Sequence, residues 1–174
     1  MKEKEQNNNF QLLKYAIENL MPANKILGLK IVDMEEGYVS IHVPFKEEFI
    51  GDFIQGRWHG GILAAIADTA GGIAGATTLH SEKDRLNTVD MRLDYLHAAV
   101  KADIYAKARI IKNGKTIIIV DVCREMKYKY FKAGNQQLYA TQRFFKNISV
   151  NPISHSNNEI TGIINYYIFF CSIR

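Results

Sequence analysis

The periodicity of apolar residues changes twice along this 174-residue chain. From Phe10 to Met21 apolar side chains recur with the spacing of one helix face, and Pro22 ends the pattern. This segment therefore predicts an amphipathic N-terminal helix. Residues 1–9 are charged and rich in Asn, which predicts a frayed end.

Strand-like patterns occur twice before the middle of the chain and four times after it. The six predicted strands are Ile26–Val32, Tyr38–Phe45, Asn87–Leu96, Ala102–Lys112, Thr116–Lys129 and Gln137–Lys146. Asn113-Gly114 is the strongest turn signal between them, because both residue types accept the positive φ of a tight hairpin. No helical pattern separates the last four strands, so the predicted sheet is antiparallel.

One apolar stretch, from Gly60 to about Leu79, lies between the two groups of strands and carries a single charge, Asp68. A helix that is apolar on all sides is a buried one. Its glycines each cost about 1 kcal/mol relative to Ala inside a helix, which close packing of a sheet would offset. The elements together predict an α+β fold: a curved antiparallel sheet of five to six strands around one long central helix, with an N-terminal helix before it.

Length and composition narrow the class of protein. We predict an N-terminal helical segment at 1–24, one main domain at 25–146 and an extension at 147–174 whose role stays open. The net charge of +4 comes without a run of Lys or Arg, which does not favour a nucleic-acid partner. Cys123 and Cys171 lack metal-ligand spacing, so we expect free thiols. With neither a signal core nor an apolar run of about 20 residues, we expect a cytoplasmic protein without a membrane span.

Three motifs, in order along the chain, carry a resemblance to a known family. They are His59-Gly60-Gly61 at the start of the central helix, Asp68 nine residues after that His, and TVDMRLDYLHAA from Thr88 to Ala99 with the KNGK hairpin at 112–115 behind it. The chain resembles the hotdog-fold acyl-CoA thioesterases of the PaaI-like branch, in the 4-hydroxybenzoyl-CoA thioesterase superfamily. The resemblance implies a homodimer joined through the strand after the helix. It also implies hydrolysis of a fatty or aryl acyl-CoA at two interface sites, with no metal or redox cofactor.

Helix geometry gives a physical reason for the first two motifs. The N–H of Gly60 lies at the positive end of the helix, where it can stabilise the oxyanion of a thioester carbonyl, with Gly61 in support. Asp68 is seven residues beyond Gly61, a rise of about 10 Å. That is too far for both to act on one carbonyl carbon. The spacing therefore predicts a composite site, with Gly60 from one chain and Asp68 from an antiparallel helix of a second chain.

Asp68 is the predicted reactive carboxylate, either as general base on water or as a nucleophile that forms a mixed anhydride. Burial should raise its pKa, and a hydrogen bond from a hydroxyl should temper that rise. Thr88 stands where the resemblance implies a Ser or Thr beside the carboxylate, so we expect it to position the base or the water. His59 is expected to orient the loop and the thioester end of the substrate.

The predicted binding residues rest on weaker signals. Relatives commonly carry Asn or Gln six residues before the helix-opening histidine, where this chain has Phe53. Gln55 is the better of the nearby polar substitutes, because its amide can donate. Trp58 either closes the core or lines the acyl pocket. Lys112 and Lys115 are candidates for binding the CoA phosphates, although lysines at strand ends are more often simply exposed to solvent.

Three functions compete at this point. The first is acyl-CoA hydrolysis at a dimer interface, with dimer and tetramer both open. The second is a non-catalytic acyl-CoA binder or sensor on the same fold, which Phe53 favours. The third, a hotdog dehydratase or hydratase, relies on an Asp–His or Glu–His pairing at other positions that the sequence does not show.

Overall fold

The computed structural model describes residues 2–79, 84–126 and 138–146. The helices are α1 Lys2–Asn19, α2 Pro22–Leu27 and α3 Gly60–Ala76. The strands are β1 Lys30–Glu35, β2 Tyr38–Val43, β3 Ile50–Asp52, β4 Arg57–Trp58, β5 Leu86–Asp94, β6 Ile104–Asn113, β7 Ile117–Met126 and β8 Leu138–Lys146. The extension at 147–174 and the turn expected at 133–135 lie outside the described residues. Within the described ranges no helix is long and apolar enough to cross a membrane.

Six strands form one antiparallel sheet in the order β1-β2-β6-β7-β8-β5, while β3 and β4 form a separate small hairpin. The long helix α3 packs on one face of the sheet and contacts β2, β5, β6, β7 and β8. The predicted fold, a six-stranded sheet around one central helix with a helix before it, is confirmed. Because local alternation and turn residues specify strands well, five of the six predicted strands lie within three residues of their observed positions at each end.

The N-terminal boundaries differ from the prediction. α1 begins at Lys2, so the stretch expected to be frayed is helical. Pro22 does not only end α1; it begins α2, where its missing N–H costs nothing at the first helical position. Gly28, at φ 70°, ends α2 in the left-handed conformation. The strand expected from Ile26 therefore starts only at Lys30.

Glycines let α3 lie against the sheet without side chains between them. A Cβ built on Gly71 would lie 1.7 Å from Oε1 of Gln142, and one on Gly75 would lie 2.6 Å from Cδ2 of Leu86. Neither distance is possible for real atoms, so any side chain at these positions would push the helix and the sheet apart. The predicted reason for the glycines, close approach of the sheet, is confirmed at Gly71 and Gly75.

The last strand in the sheet, β5, leaves one edge open. It pairs with β8 on one side, and no other described strand pairs with it. It runs antiparallel to α3: Leu86 lies against Gly75, Thr88 against Asp68, and Tyr95, just past its end, against Gly60. An open strand edge beside the helix that carries the candidate residues is a surface on which a second strand can pair.

Candidate active site

A small hairpin fixes the entry into α3. The N–H of His59 donates to the carbonyl of Phe49 at 2.7 Å, and the N–H of Trp58 donates to the carbonyl of Ala99 at 2.8 Å. A Cβ on Gly51 would lie 2.6 Å from Cα of His59, so only glycine lets the hairpin close against this residue. The backbone at the start of the helix is therefore held from two sides.

His59 caps α3 through its ring. Its backbone is extended, at φ −69° and ψ 128°, and its Nδ1 accepts a hydrogen bond from the N–H of Gly61 at 3.0 Å. A nitrogen that accepts carries no proton, so in the neutral ring the proton sits on Nε2. The exposed imidazole therefore offers a donor to a bound substrate, consistent with an orienting role.

The backbone donors at the start of α3 are unequally used. The N–H groups of Ile62 and Leu63 both donate to the carbonyl of His59, at 3.1 and 3.2 Å. The N–H of Gly61 is engaged by the His59 ring, so its expected role as a second oxyanion donor conflicts with this bond. Among the residues that the structure describes, nothing accepts from the N–H of Gly60. That N–H is the open donor of the site.

Asp68 lies in the middle of α3, half-buried, with a hydroxyl partner. Oγ1 of Thr88 donates to its Oδ1 at 2.9 Å. Burial raises the pKa of the Asp68 carboxyl, and the Thr88 hydrogen bond lowers it part of the way back. The expected contact with Thr88 and the expected direction of the pKa shift are both confirmed.

The open donor and the carboxylate do not meet within one chain. Gly60 and Asp68 are eight residues apart on one straight helix, which separates them by about 12 Å along its axis. A thioester carbonyl bound at the first cannot receive water from the second. Within one chain the open donor and the carboxylate therefore lie at separate places on α3.

Two of the predicted binding residues lie close to the start of α3. Trp58 is only 5% exposed, and its Nε1 donates to the carbonyl of Ala102 at 3.1 Å. Trp58 therefore packs into the core of the chain, and its expected part in lining an acyl pocket stays a prediction. Gln55 is exposed on the β3–β4 turn, where Oδ1 of Asp52 accepts from the N–H of Gln55 and of Ile54 at 3.1 Å. Phe53, beside them, is 87% exposed.

The two lysines lie at the other end of the helix. Lys112 and Lys115 are exposed at the β6–β7 turn. That end of β6 lies beside the last turn of α3. Gly37 links the two, since it forms hydrogen bonds both with Ile110 of β6 and with Thr77, which follows α3. Within one chain the structure does not bring these lysines to the His59 end.

Two polar contacts were missed by the sequence reasoning. The hydroxyl of Tyr95 donates to the carbonyl of Gly60 at 2.8 Å. Gln142 is fully buried against α3; its Nε2 donates to Sδ of Met91 at 3.0 Å, while its Oε1 has no hydrogen-bond partner among the described residues. Tyr95 belongs to the TVDMRLDYLHAA motif, but its contact with Gly60 could not be predicted, because it depends on the position of β5 along α3.

Fold and site together define a class of protein. An open N–H at the start of the central helix can stabilise an oxyanion, and a hydroxyl-bound carboxylate in the middle of that helix can act as a base, which are the groups that hydrolysis of a thioester requires. The chain belongs to the thioesterase superfamily, whose family model matches residues 55–123.

Three similar proteins show the range of relatives. A Saccharolobus solfataricus protein provisionally named an esterase is 30% identical over 98 residues, 56% of this chain and 67% of its own length. The medium/long-chain acyl-CoA thioesterase YigI of Escherichia coli is 25% identical over 114 residues, 59% of this chain and 74% of its own. The E. coli PaaI protein of the phenylacetic acid degradation operon superposes with a TM-score of 0.68 at 19% identity, covering 82% of this chain and 95% of that one.

Proposed function

We propose that this protein hydrolyses acyl-CoA thioesters to the free acid and CoA, at composite sites on a homodimer. Each site takes the N–H of Gly60 from one chain and the carboxylate of Asp68 from the other. The observation that carries the proposal is the separation of these two groups along one rigid helix. An antiparallel second copy of α3 brings them to one substrate.

The chemistry follows from the two groups. Asp68 takes a proton from water, the water oxygen attacks the acyl carbon, and the N–H of Gly60 stabilises the resulting oxyanion. The C–S bond then breaks, and the leaving CoA sulfur takes the proton from Asp68. Thr88 holds Oδ1 and leaves Oδ2 for the proton. The reaction needs neither a metal nor a redox cofactor.

A nucleophilic route through a mixed anhydride uses the same residues. A single turnover in ¹⁸O-labelled water separates the two routes. General-base catalysis places the label only in the released acid, so label in the carboxylate of Asp68 identifies a mixed anhydride that water opens at the Asp68 carbonyl.

The open edge of β5 supports the dimer. Pairing of two β5 edges around a two-fold axis sets the two α3 helices antiparallel and side by side. Near its start, α3 has three small residues that are not buried, Gly61, Ala64 and Ala65, where a second helix can approach closely. In such a pair, the β6–β7 turn of the partner chain lies toward the His59 end, which would bring its Lys112 and Lys115 to the CoA side of the site.

The substrate class is supported by the relatives. YigI is named for medium- and long-chain acyl-CoA, and a helix-start donor with a mid-helix carboxylate fits the thioester that all acyl-CoAs share. The cytoplasmic location expected from the sequence stays a prediction.

The test is release of free thiol from a panel of acyl-CoAs, from acetyl to long-chain and aryl. Asp68→Asn should lower kcat by about 10²- to 10⁴-fold, the range for losing a general base. The matched control is Asp121→Asn, because Asp121 is exposed on β7 and also accepts a threonine hydroxyl, from Thr141 at 3.1 Å. It should retain wild-type activity.

One observation favours a second function. Phe53 stands, 87% exposed, where relatives commonly carry an amide, which is the change expected in a protein that binds acyl-CoA without cutting it. If the wild type releases no thiol from any substrate, yet acyl-CoA raises its Tm, the binder replaces the hydrolase.

A further inference from the structure

The peptide group between Gly60 and Gly61 is held at both of its polar ends. Its carbonyl accepts a hydrogen bond from the hydroxyl of Tyr95 at 2.8 Å. Its N–H donates to Nδ1 of His59 at 3.0 Å. Two bonds that pull on opposite sides of one planar group fix the orientation of that plane.

This fixed plane adjoins the open donor. The N–H of Gly60 belongs to the preceding peptide group, whose carbonyl is already bound by the N–H groups of Ile62 and Leu63. The two peptide planes are joined only through the φ and ψ torsions of Gly60. Glycine has the widest torsional freedom of any residue, so the bonds to the peptide groups on both sides of Gly60 decide how narrowly the direction of this N–H is fixed.

Tyr95 supplies one of those bonds from another element. It follows the end of β5, 35 residues along the chain from Gly60, and its ring atoms lie 3.5–3.6 Å from the position that a Cβ on Gly60 would occupy. The phenol therefore packs against the glycine as well as bonding it. About half of the side chain is still exposed, at 52%, so the ring also borders the space next to the N–H of Gly60.

We propose that Tyr95 is a positioning residue for the oxyanion donor. Together with His59 it clamps the Gly60–Gly61 peptide, fixes the torsions of Gly60 and so aims the Gly60 N–H at the thioester carbonyl. The inference rests on the proposed function for the identity of the group that the donor meets. Preorganised donors act mainly on the transition state, where the negative charge develops, so the clamp acts on kcat rather than on KM.

The kinetic test is Tyr95→Phe, which keeps the ring and removes the hydroxyl. We expect kcat to fall about tenfold with KM unchanged, since the lost bond loosens only the donor's aim. The matched control is Tyr105→Phe on β6, whose ring packs against His42 instead; it should leave both constants unchanged. An unchanged kcat in Tyr95→Phe overturns the proposal, whatever happens to stability.

A second measurement reports on the clamp without catalysis. Selective ¹⁵N-glycine labelling gives at most 12 amide signals, and loss of one signal in Gly61→Ala identifies the Gly61 amide. Its hydrogen exchange should be at least several-fold faster in Tyr95→Phe than in the wild type, while amides in the middle of α3 stay protected. Equal exchange of the Gly61 amide in the two proteins shows that Tyr95 does not hold this peptide.

The two proposals fail in different ways. If the wild type hydrolyses acyl-CoAs and Tyr95→Phe matches it in kcat or in Gly61 exchange, the clamp is wrong and the proposed function stands. If the wild type releases no thiol, hydrolysis is wrong, and the clamp is judged by hydrogen exchange of the Gly61 amide alone. Faster exchange in Tyr95→Phe than in the wild type then supports the clamp, and equal exchange overturns it.

Discussion

At the scale of single residues, Asp68 is a partly buried carboxylate that carries a cost to folding and is the base of the proposed mechanism. Burial raises the pKa of its carboxyl and the Thr88 hydroxyl partly reverses the rise. A carboxylate with a raised pKa is a stronger base than an exposed one, but it is deprotonated only at higher pH. Thr88 therefore sets the balance between base strength and the fraction of enzyme that is active.

Removing the Thr88 hydroxyl should shift the pH dependence of activity. In Thr88→Val the pKa of Asp68 loses its lowering contribution, so the acidic limb of the kcat–pH profile moves to higher pH. At pH 7, kcat should fall about tenfold, as for one lost hydrogen bond to a charged group. Thr141→Val removes the equivalent bond to Asp121 on the exposed face and should leave the profile in place. A Thr88→Val profile that coincides with the wild type contradicts the assignment.

The same pKa predicts how stability depends on pH. The folded chain binds the Asp68 proton more tightly than the unfolded chain, so the free energy of unfolding falls as pH rises from the unfolded pKa through the higher folded pKa. Asp68→Asn removes this loss. Denaturant unfolding should show Asp68→Asn more stable than the wild type above that window and equal to it well below. A stability difference that does not change with pH would count against a buried, titrating Asp68.

Residue contacts were predictable from the sequence where they depend on spacing along a helix or on a motif. They were not predictable where they depend on packing between residues far apart in the sequence. Asp68 and Thr88 were found because the motifs place a hydroxyl-bearing strand residue beside a helical carboxylate. The two alternatives for Trp58 could not be separated from the sequence, because its burial depends on packing against Phe45 and Phe49. Tyr95 received no role because its contact with Gly60 is set by the position of β5 along α3, which local pattern does not specify.

At the scale of elements, the glycines of α3 allow the helix to pack closely against the sheet. Gly71 faces the fully buried Gln142, whose Oε1 occupies the volume that a Cβ would need. The buried amide cannot swing into solvent to make room. Helix propensity alone would favour Ala here by about 1 kcal/mol, so the contact with the sheet outweighs propensity at this position.

Gly71→Ala should therefore destabilise the protein, by about 1–3 kcal/mol as for an overpacked core. Thermal or denaturant unfolding measures the change. The matched background is Gln142→Ala, which removes the obstructing amide; there Gly71→Ala should be neutral or stabilising. Equal effects of Gly71→Ala in both backgrounds would mean that Gln142 is not the reason for the glycine.

Element boundaries show the limit of period-based prediction. The sequence contains the signals for α2, with Pro22 at the first helical position and Gly28 just past the last, but the helix has only six residues. So short a segment carries too few apolar positions for a helical period to stand out from a strand. The longer α3 begins at the predicted Gly60, and its end at Ala76 falls three residues before the predicted Leu79.

At the scale of the whole molecule, the proposed reaction needs two copies of the chain, because each active site takes residues from both. The single chain has an unused donor at one point of α3, a hydroxyl-bound carboxylate eight residues further on, and an open strand edge beside both. Each feature alone is ordinary. Together they are what a two-fold dimer with two shared sites requires.

Complementation between two inactive variants tests this claim most directly. Asp68→Asn removes the carboxylate. Gly60→Pro removes the open N–H at the first helical position, where proline is tolerated and where the extended backbone of His59 suits the residue before a proline. Gly60→Ala is the control, because it keeps the N–H and its Cβ would meet Tyr95 only at ordinary contact distance, 3.5 Å.

The two variants are co-expressed with different tags, and heterodimers are isolated through both tags. Each heterodimer then contains one site with both changes and one site with neither, so a shared-site enzyme should recover about half of the wild-type kcat per dimer. Both homodimers should be inactive, and Gly60→Ala should retain most activity. Heterodimers as inactive as their parents would show that each chain acts alone, and would contradict the composite site.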